Sequence, residues 1–204
     1  MKKKLKIVFC FFMLHSCVNT YSYSQPWNFV KEKDGVQLFT RQEAGKSLKF
    51  IKGVAEINES AEKVFALIED VNHTEWWDAN VSQIKILLYE KNKHAQYYLV
   101  YKMPWPFKDR DLTVNVTASL NQVNGEFKLI ATPLTDMSTK KNDLVHIKDY
   151  RQTWTIRPVN NRTHVELEFY IDAIDNIPGW LVNLALIETP INSIKAIRLL
   201  LEKK

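Results

Sequence analysis

From Gly35 to Ile171 the apolar residues fall mostly at every second position, and a helical period interrupts this alternation only once. Successive strand side chains point to opposite faces, so such a run builds sheet with one apolar face. Residues 111–120 are its cleanest part. Leu112, Val114, Val116, Ala118 and Leu120 face one way, and Thr113, Asn115, Thr117 and Ser119 face the other. Strands are expected over 36–41, 47–58, 82–90, 94–103, 111–120, 126–132, 143–150, 152–157 and 163–171. Gly45, Asn124-Gly125 and Asn160-Asn161 mark turns between them, Asn-Gly being a strong hairpin signal.

The helical interruption follows Asn58 and Ser60, either of which can cap it. Val64, Phe65, Leu67, Ile68 and Val71 share its apolar face. A polar-aromatic stretch over 73–79, with Trp76, Trp77 and Asp78, comes next. A second stripe closes the chain: Trp180, Leu184, Ile187, Ile191, Ile194 and Leu201 recur at helical spacing, with Glu188, Asn192, Lys195 and Glu202 opposite. Pro190 falls inside this stripe, so the helix should kink or break near Thr189. A long antiparallel sheet must cover its apolar face, and a C-terminal amphipathic helix does so. The expected class is α+β, a curved antiparallel sheet wrapped around a long C-terminal helix. Such a sheet leaves a gap beneath the helix, and such gaps become apolar ligand pockets.

The segment 1–24 is expected to be a secretory signal peptide, with the domain over 25–204. Lys2, Lys3, Lys4 and Lys6 form a basic region, an apolar run from Ile7 to Leu14 follows, and Ser22 and Ser24 precede Gln25 at the small-residue positions. The export reading places the protein in a periplasmic or extracellular space. The alternative is a lipid anchor through Cys17, which follows Leu14-His15-Ser16. The chain carries 28 basic and 23 acidic residues; the leader holds four lysines and no acid, leaving 24 against 23. A net charge of +1 offers no basic field for nucleic acid. Both cysteines, Cys10 and Cys17, lie in the leader, so the remainder has no disulfide and no thiolate.

Residues 103–111, Met-Pro-Trp-Pro-Phe-Lys-Asp-Arg-Asp, are the most unusual segment. Pro104 and Pro106 lack a backbone donor and must end the strand before them. Trp105, Phe107 and Lys108 are expected to form a gate or to touch an anionic membrane surface, the alternative for Trp105 being packing beneath the loop. Arg110 and Asp111 are expected to act as a structural latch at a strand start.

Several pieces, in order, resemble the START family of lipid-transfer domains. They are Trp27 with Asp34-Gly35-Val36 and Arg41, Ser60-Ala61-Glu62 with Val64-Phe65, Trp77-Asp78, Met103-Pro-Trp-Pro with Arg110-Asp111, Tyr150 with Trp154, and Ile177-Pro-Gly-Trp-Leu-Val-Asn183. The resemblance covers nearly all of 26–200 and looks nearest to phosphatidylcholine-transfer-like members. It implies the helix-grip fold, with a hydrophobic tunnel holding one lipid or sterol-like molecule, no catalysis and no cofactor. One position departs. Family members often carry a cavity arginine six residues after the Arg of the Arg-Asp pair, and Val116 stands there. Valine cannot meet a phosphate. With the short hairpin at Asn124-Gly125, this favours a ligand of little charge, such as a fatty acyl chain, an isoprenoid or a hopanoid-like molecule.

The residues expected to line the ligand are Leu99, Tyr101, Met103, Val114, Val116, Trp154, Trp180, Leu184, Ile187 and Ile191, with Tyr101 and Trp154 meeting its polar end. No catalytic residue or metal ligand is expected: His73, His94, His146 and His164 are scattered, and no Gly-x-Ser-x-Gly elbow occurs. The expected partner is a lipid or other hydrophobic small molecule bound by a monomer, with transient membrane contact. Two rival classes stay open, a polyketide-cyclase-like enzyme with a polar cavity and an interaction module with a filled core.

Overall fold

A computed structural model describes residues 26–77, 79–103, 105–134, 143–172, 177–178, 182 and 186–203. Residues 1–25, which hold the expected signal peptide and Cys17, and the expected site residues Trp180 and Leu184 lie outside the described residues.

Among the described residues, ten strands form one sheet. They are β1 (Asn28–Lys33), β2 (Val36–Arg41), β3 (Phe50–Ile57), β4 (Val81–Glu90), β5 (His94–Tyr101), β6 (Arg110–Asn121), β7 (Glu126–Pro133), β8 (Val145–His146), β9 (Asp149–Val159) and β10 (Arg162–Asp172). Their order is β1-β2-β3-β10-β9-β7-β6-β5-β4, with β8 beside β6. Every pair along that path is antiparallel, and only β6–β8 is parallel. Helices α1 (Ala61–Glu69) and α2 (Thr189–Glu202) are described beside it.

Local chemistry explains most of these elements. The Ser60 hydroxyl accepts from the Lys63 amide at 3.3 Å and starts α1. Val64, Phe65, Leu67 and Ile68 turn inward, and Phe65 stacks on Phe127 with ring centroids 4.4 Å apart. The expected break near Thr189 is where α2 begins: Pro190 sits in its first turn, where a missing amide costs nothing. Ile191, Ile194, Ile197 and Leu201 of α2 join Val64 and Ile68 of α1 over Ile156, Val165 and Leu167 of the sheet. Each buried side chain of this size contributes about 1.5–3 kcal/mol.

Three expectations need correction. β1 was not expected, because its side chains are almost all exposed and leave no alternation to read. The Asp34-Gly35 turn creates it, with φ of 53° and 66°, the geometry of a two-residue hairpin. The expected strand over 143–150 shrinks to Val145–His146, while β9 runs unbroken from Asp149 to Val159 and carries Tyr150 and Trp154 on one strand. The β6–β7 hairpin turns over 122–125, closed by Gly125 N–H to Asn121 O at 2.9 Å with Gly125 at φ 69°. Asn124-Gly125 is thus the end of a longer turn.

Candidate ligand-binding site

The concave face of the sheet encloses a cavity of about 120 Å³. β5 supplies Ala95, Tyr97, Leu99 and Tyr101, β6 supplies Val114, Val116 and Ala118, and β9 supplies Tyr150, Gln152 and Trp154. The cavity is capped by Trp76 and Trp77 from the segment after α1, by Ile68 and Glu69 at the end of α1, and by Thr189 and Ser193 of α2. Alternation sets this wall: residues two apart on a strand share a face, so odd positions of β5 and even positions of β6 face the same space across their register.

Of the expected lining residues, Leu99, Tyr101, Val114, Val116 and Trp154 stand in the wall. Met103, Ile187 and Ile191 do not. Met103 packs against the cluster that holds Leu48, Phe50, Tyr170 and Ile177, because β5 ends at Tyr101 and the chain leaves the concave face there. Ile187 packs against the cluster that holds the wall residues Tyr97, Leu99 and Val114, without itself reaching the cavity. Ile191 is fully buried between α2 and the sheet, where it fills the core beside the cavity.

Sequence reasoning missed Trp76, Trp77, Glu69, Tyr89, Tyr97 and Gln152. The Trp76-Trp77 pair was a visible signal, but its segment lacks periodicity, so nothing in the pattern showed what it covers. Glu69 reads as the polar end of an amphipathic helix, yet it is only 7% exposed. Its carboxylate accepts from the Tyr89 hydroxyl and from the Asn92 amide, both at 3.1 Å.

Burial raises two phenols of this wall, Tyr89 and Tyr97. Tyr89 is pushed up to about 12 by desolvation and by the neighbouring Glu69 carboxylate. Tyr97 is raised further, chiefly by desolvation. Both therefore remain neutral hydroxyls at any physiological pH. Among the described residues, no group of three or more His, Asp or Glu side chains stands close enough to hold a metal ion.

Arg110 and Asp111 lie outside the cavity wall and are almost fully buried, at 1% and 0% exposure. Asp111 accepts from the Tyr98 hydroxyl at 3.1 Å and meets His146 Nδ1 at 3.0 Å. Its carbonyl receives the Ile147 amide at 2.9 Å. The Arg110 guanidinium donates to the Lys108 carbonyl, and Asp109 accepts the Met103 amide at 2.9 Å. This network ties the 103–109 loop and β8 to the start of β6. At the loop tip Trp105 is 92% exposed, so it does not pack beneath the loop. Phe107 packs partly on the Phe50 cluster, and Lys108 is exposed.

No family model matches the sequence. The chain is similar to an uncharacterized protein of Pseudomonas aeruginosa, 25% identical over 182 residues and 89% of each chain. It is similar in structure to a STAR-related lipid transfer protein from Xanthomonas axonopodis, with a TM-score of 0.76 and 24% identity over 86% of this chain and 98% of that one. Human StAR-related lipid transfer protein 5 gives a TM-score of 0.75 and 15% identity over 91% and 89%. An aromatase/cyclase from Streptomyces sp. R1128 gives 0.51 and 10% over 76% and 93%. These likenesses define the class: the chain has the START-type helix-grip fold.

Proposed function

We propose that this protein holds one hydrophobic, lipid-like molecule between the concave sheet face and the helices, and carries or senses it without chemical change. The observation that supports this most is the cavity itself, walled mainly by aliphatic and aromatic side chains from six strands and capped by two indoles. A filled core, which an interaction module would have, is a poorer account of that space. The name of the Xanthomonas neighbour, a lipid transfer protein, points the same way.

Tyr89 and Tyr97 are poor proton-transfer groups. Proton transfer works best with a group titrating near the working pH. The two wall phenols with displaced titration move upward, away from neutrality.

The cavity of about 120 Å³ is smaller than the roughly 300–1,000 Å³ of ordinary ligand pockets. Loading therefore requires the capping segments, Trp76-Trp77 or the first turn of α2, to move outward. Trp105 and Lys108 give the loop an aromatic and a cation suited to an anionic membrane surface, where such a ligand would be exchanged. The basic-then-apolar leader supports an exported location for this traffic.

Native mass spectrometry of the purified chain tests the reading. A single lipid per chain, displaced by added lipid, is the expected result. A chain that carries no lipid and takes up none would overturn it.

A further inference from the structure

Three indoles meet in a row where the cap of the cavity closes on its wall. Trp76 meets Trp154 edge to face, with ring centroids 5.5 Å apart and planes at 87°. It also meets Trp77 at 5.8 Å, and Trp77 meets Tyr97 at 5.3 Å. All three rings line the cavity. The Nε1 of each is buried and has no hydrogen-bond partner among the described residues.

An indole N–H is only a donor. Buried without an acceptor it costs about 1–3 kcal/mol, and nearly all buried polar groups in native proteins avoid that cost. Aromatic packing accounts for the rings but not for the donors, since phenylalanine packs without leaving an N–H unmet. A neighbouring ring face is a weak acceptor at best. The three donors lie where the cap meets the wall, and a ligand bringing acceptor oxygens would meet them there once the cap moves to admit it.

The wall also selects charge. Glu69 is buried there, and both of its hydrogen bonds come from neutral donors, the Tyr89 hydroxyl and the Asn92 amide. The carboxyl presents acceptor oxygens and no cation, so it gives an anionic headgroup nothing to pair with in this buried space. Lys93, the lysine of the wall, lies exposed in the β4–β5 turn.

We propose that the ligand is an uncharged lipid whose carbonyl or ether oxygen accepts hydrogen bonds from Trp76, Trp77 and Trp154, and that Glu69 disfavours lipids with an anionic head. This rests on the lipid-binding reading above and narrows it to a chemical class.

Equilibrium binding of methyl palmitate, palmitate and hexadecane to the delipidated chain at pH 8 tests it, in the parent and in Trp154→Phe. The ester is expected to bind about tenfold more tightly than either the anion or the alkane. Trp154→Phe should lose about five- to tenfold for the ester, one hydrogen bond's worth, and nothing for the alkane. Trp77→Phe, at a half-buried ring, supplies the same comparison if the Trp154 variant does not fold. Palmitate binding as tightly as its ester would overturn the proposal. So would an equal loss for ester and alkane in the variants, which would mean that the rings act by packing alone. If the parent binds none of the three probes, the lipid-binding reading itself falls.

Discussion

Gly53 of β3 and Pro190 of α2 meet so closely that a Cβ on Gly53 would stand 2.5 Å from the Pro190 Cβ. No side chain fits between them. The contact seats the first turn of α2 against the sheet, and Thr189 and Ser193 of that turn cap the cavity. Gly53→Ala should therefore push this end of the helix outward. Overpacking of this kind costs about 1–3 kcal/mol. Urea unfolding checks the loss of stability, and binding of a lipid probe checks for a loosened cap.

Glu188, just before α2, pairs with Lys31 and, at 3.2 Å, with Lys33 of β1. The hydrogen bond from Lys31 is the main reason its carboxyl lies below the usual 4.5, against a smaller opposing effect of burial. A depressed folded value contributes stability that is present above the unfolded value and lost as the pH falls through the folded one. Thermal unfolding of Glu188→Gln should thus fall below the parent at neutral pH. The gap should close as the pH drops below 4.5. A gap that persists at low pH would show that Glu188 acts by something other than its charge.

Asp111 is enclosed by the Tyr98 hydroxyl and His146 Nδ1, beside the buried Arg110. Asp111→Ala leaves these donors without their acceptor. Removing one partner from a buried polar cluster costs about 3–5 kcal/mol. Chemical denaturation should show a loss of that order. Because the residue lies outside the cavity wall, lipid affinity of the folded fraction should change little.

Trp105→Ala should separate membrane contact from folding. The side chain is 92% exposed and supports no core. Stability should stay within about 0.5 kcal/mol of the parent. Co-sedimentation with anionic vesicles should weaken clearly. Unchanged sedimentation would remove the loop from the membrane account.

Arg198 shows how the grip is held at the far end of α2. Its guanidinium donates to the carbonyls of Asp34 at 2.6 Å, Glu56 at 2.9 Å and Gly35 at 3.1 Å. Lys195 adds an ion pair to Asp34 at 3.2 Å. Arg198→Met should keep the stem's packing but lose these bonds, at about 1–2 kcal/mol because the site is partly exposed. Hydrogen exchange of the β1–β2 turn should rise.

The strands that pack one face on the core were legible because burial writes itself into alternation. β2, β6, β7 and β10 fall within one or two residues of where period two places them. Helix α1 was legible from its apolar face and Ser60, and the start of α2 from Pro190. Five wall residues, Leu99, Tyr101, Val114, Val116 and Trp154, followed from the same alternation. β1 was not legible, since an edge strand exposed on both sides carries no period.

What alternation cannot convey is which side chains stand opposite a buried face. The sequence by itself determined a one-faced sheet, a covering helix and the turns between them, because each follows from contacts local along the chain. Only the tertiary structure decided that Trp76 closes over Trp154 and Trp77 over Tyr97, that Glu69 is buried in the same wall, and that Ile191 fills core and not cavity. Those relationships join residues many positions apart. They arise from sheet curvature and from the seating of α2 on Gly53, which no local period encodes.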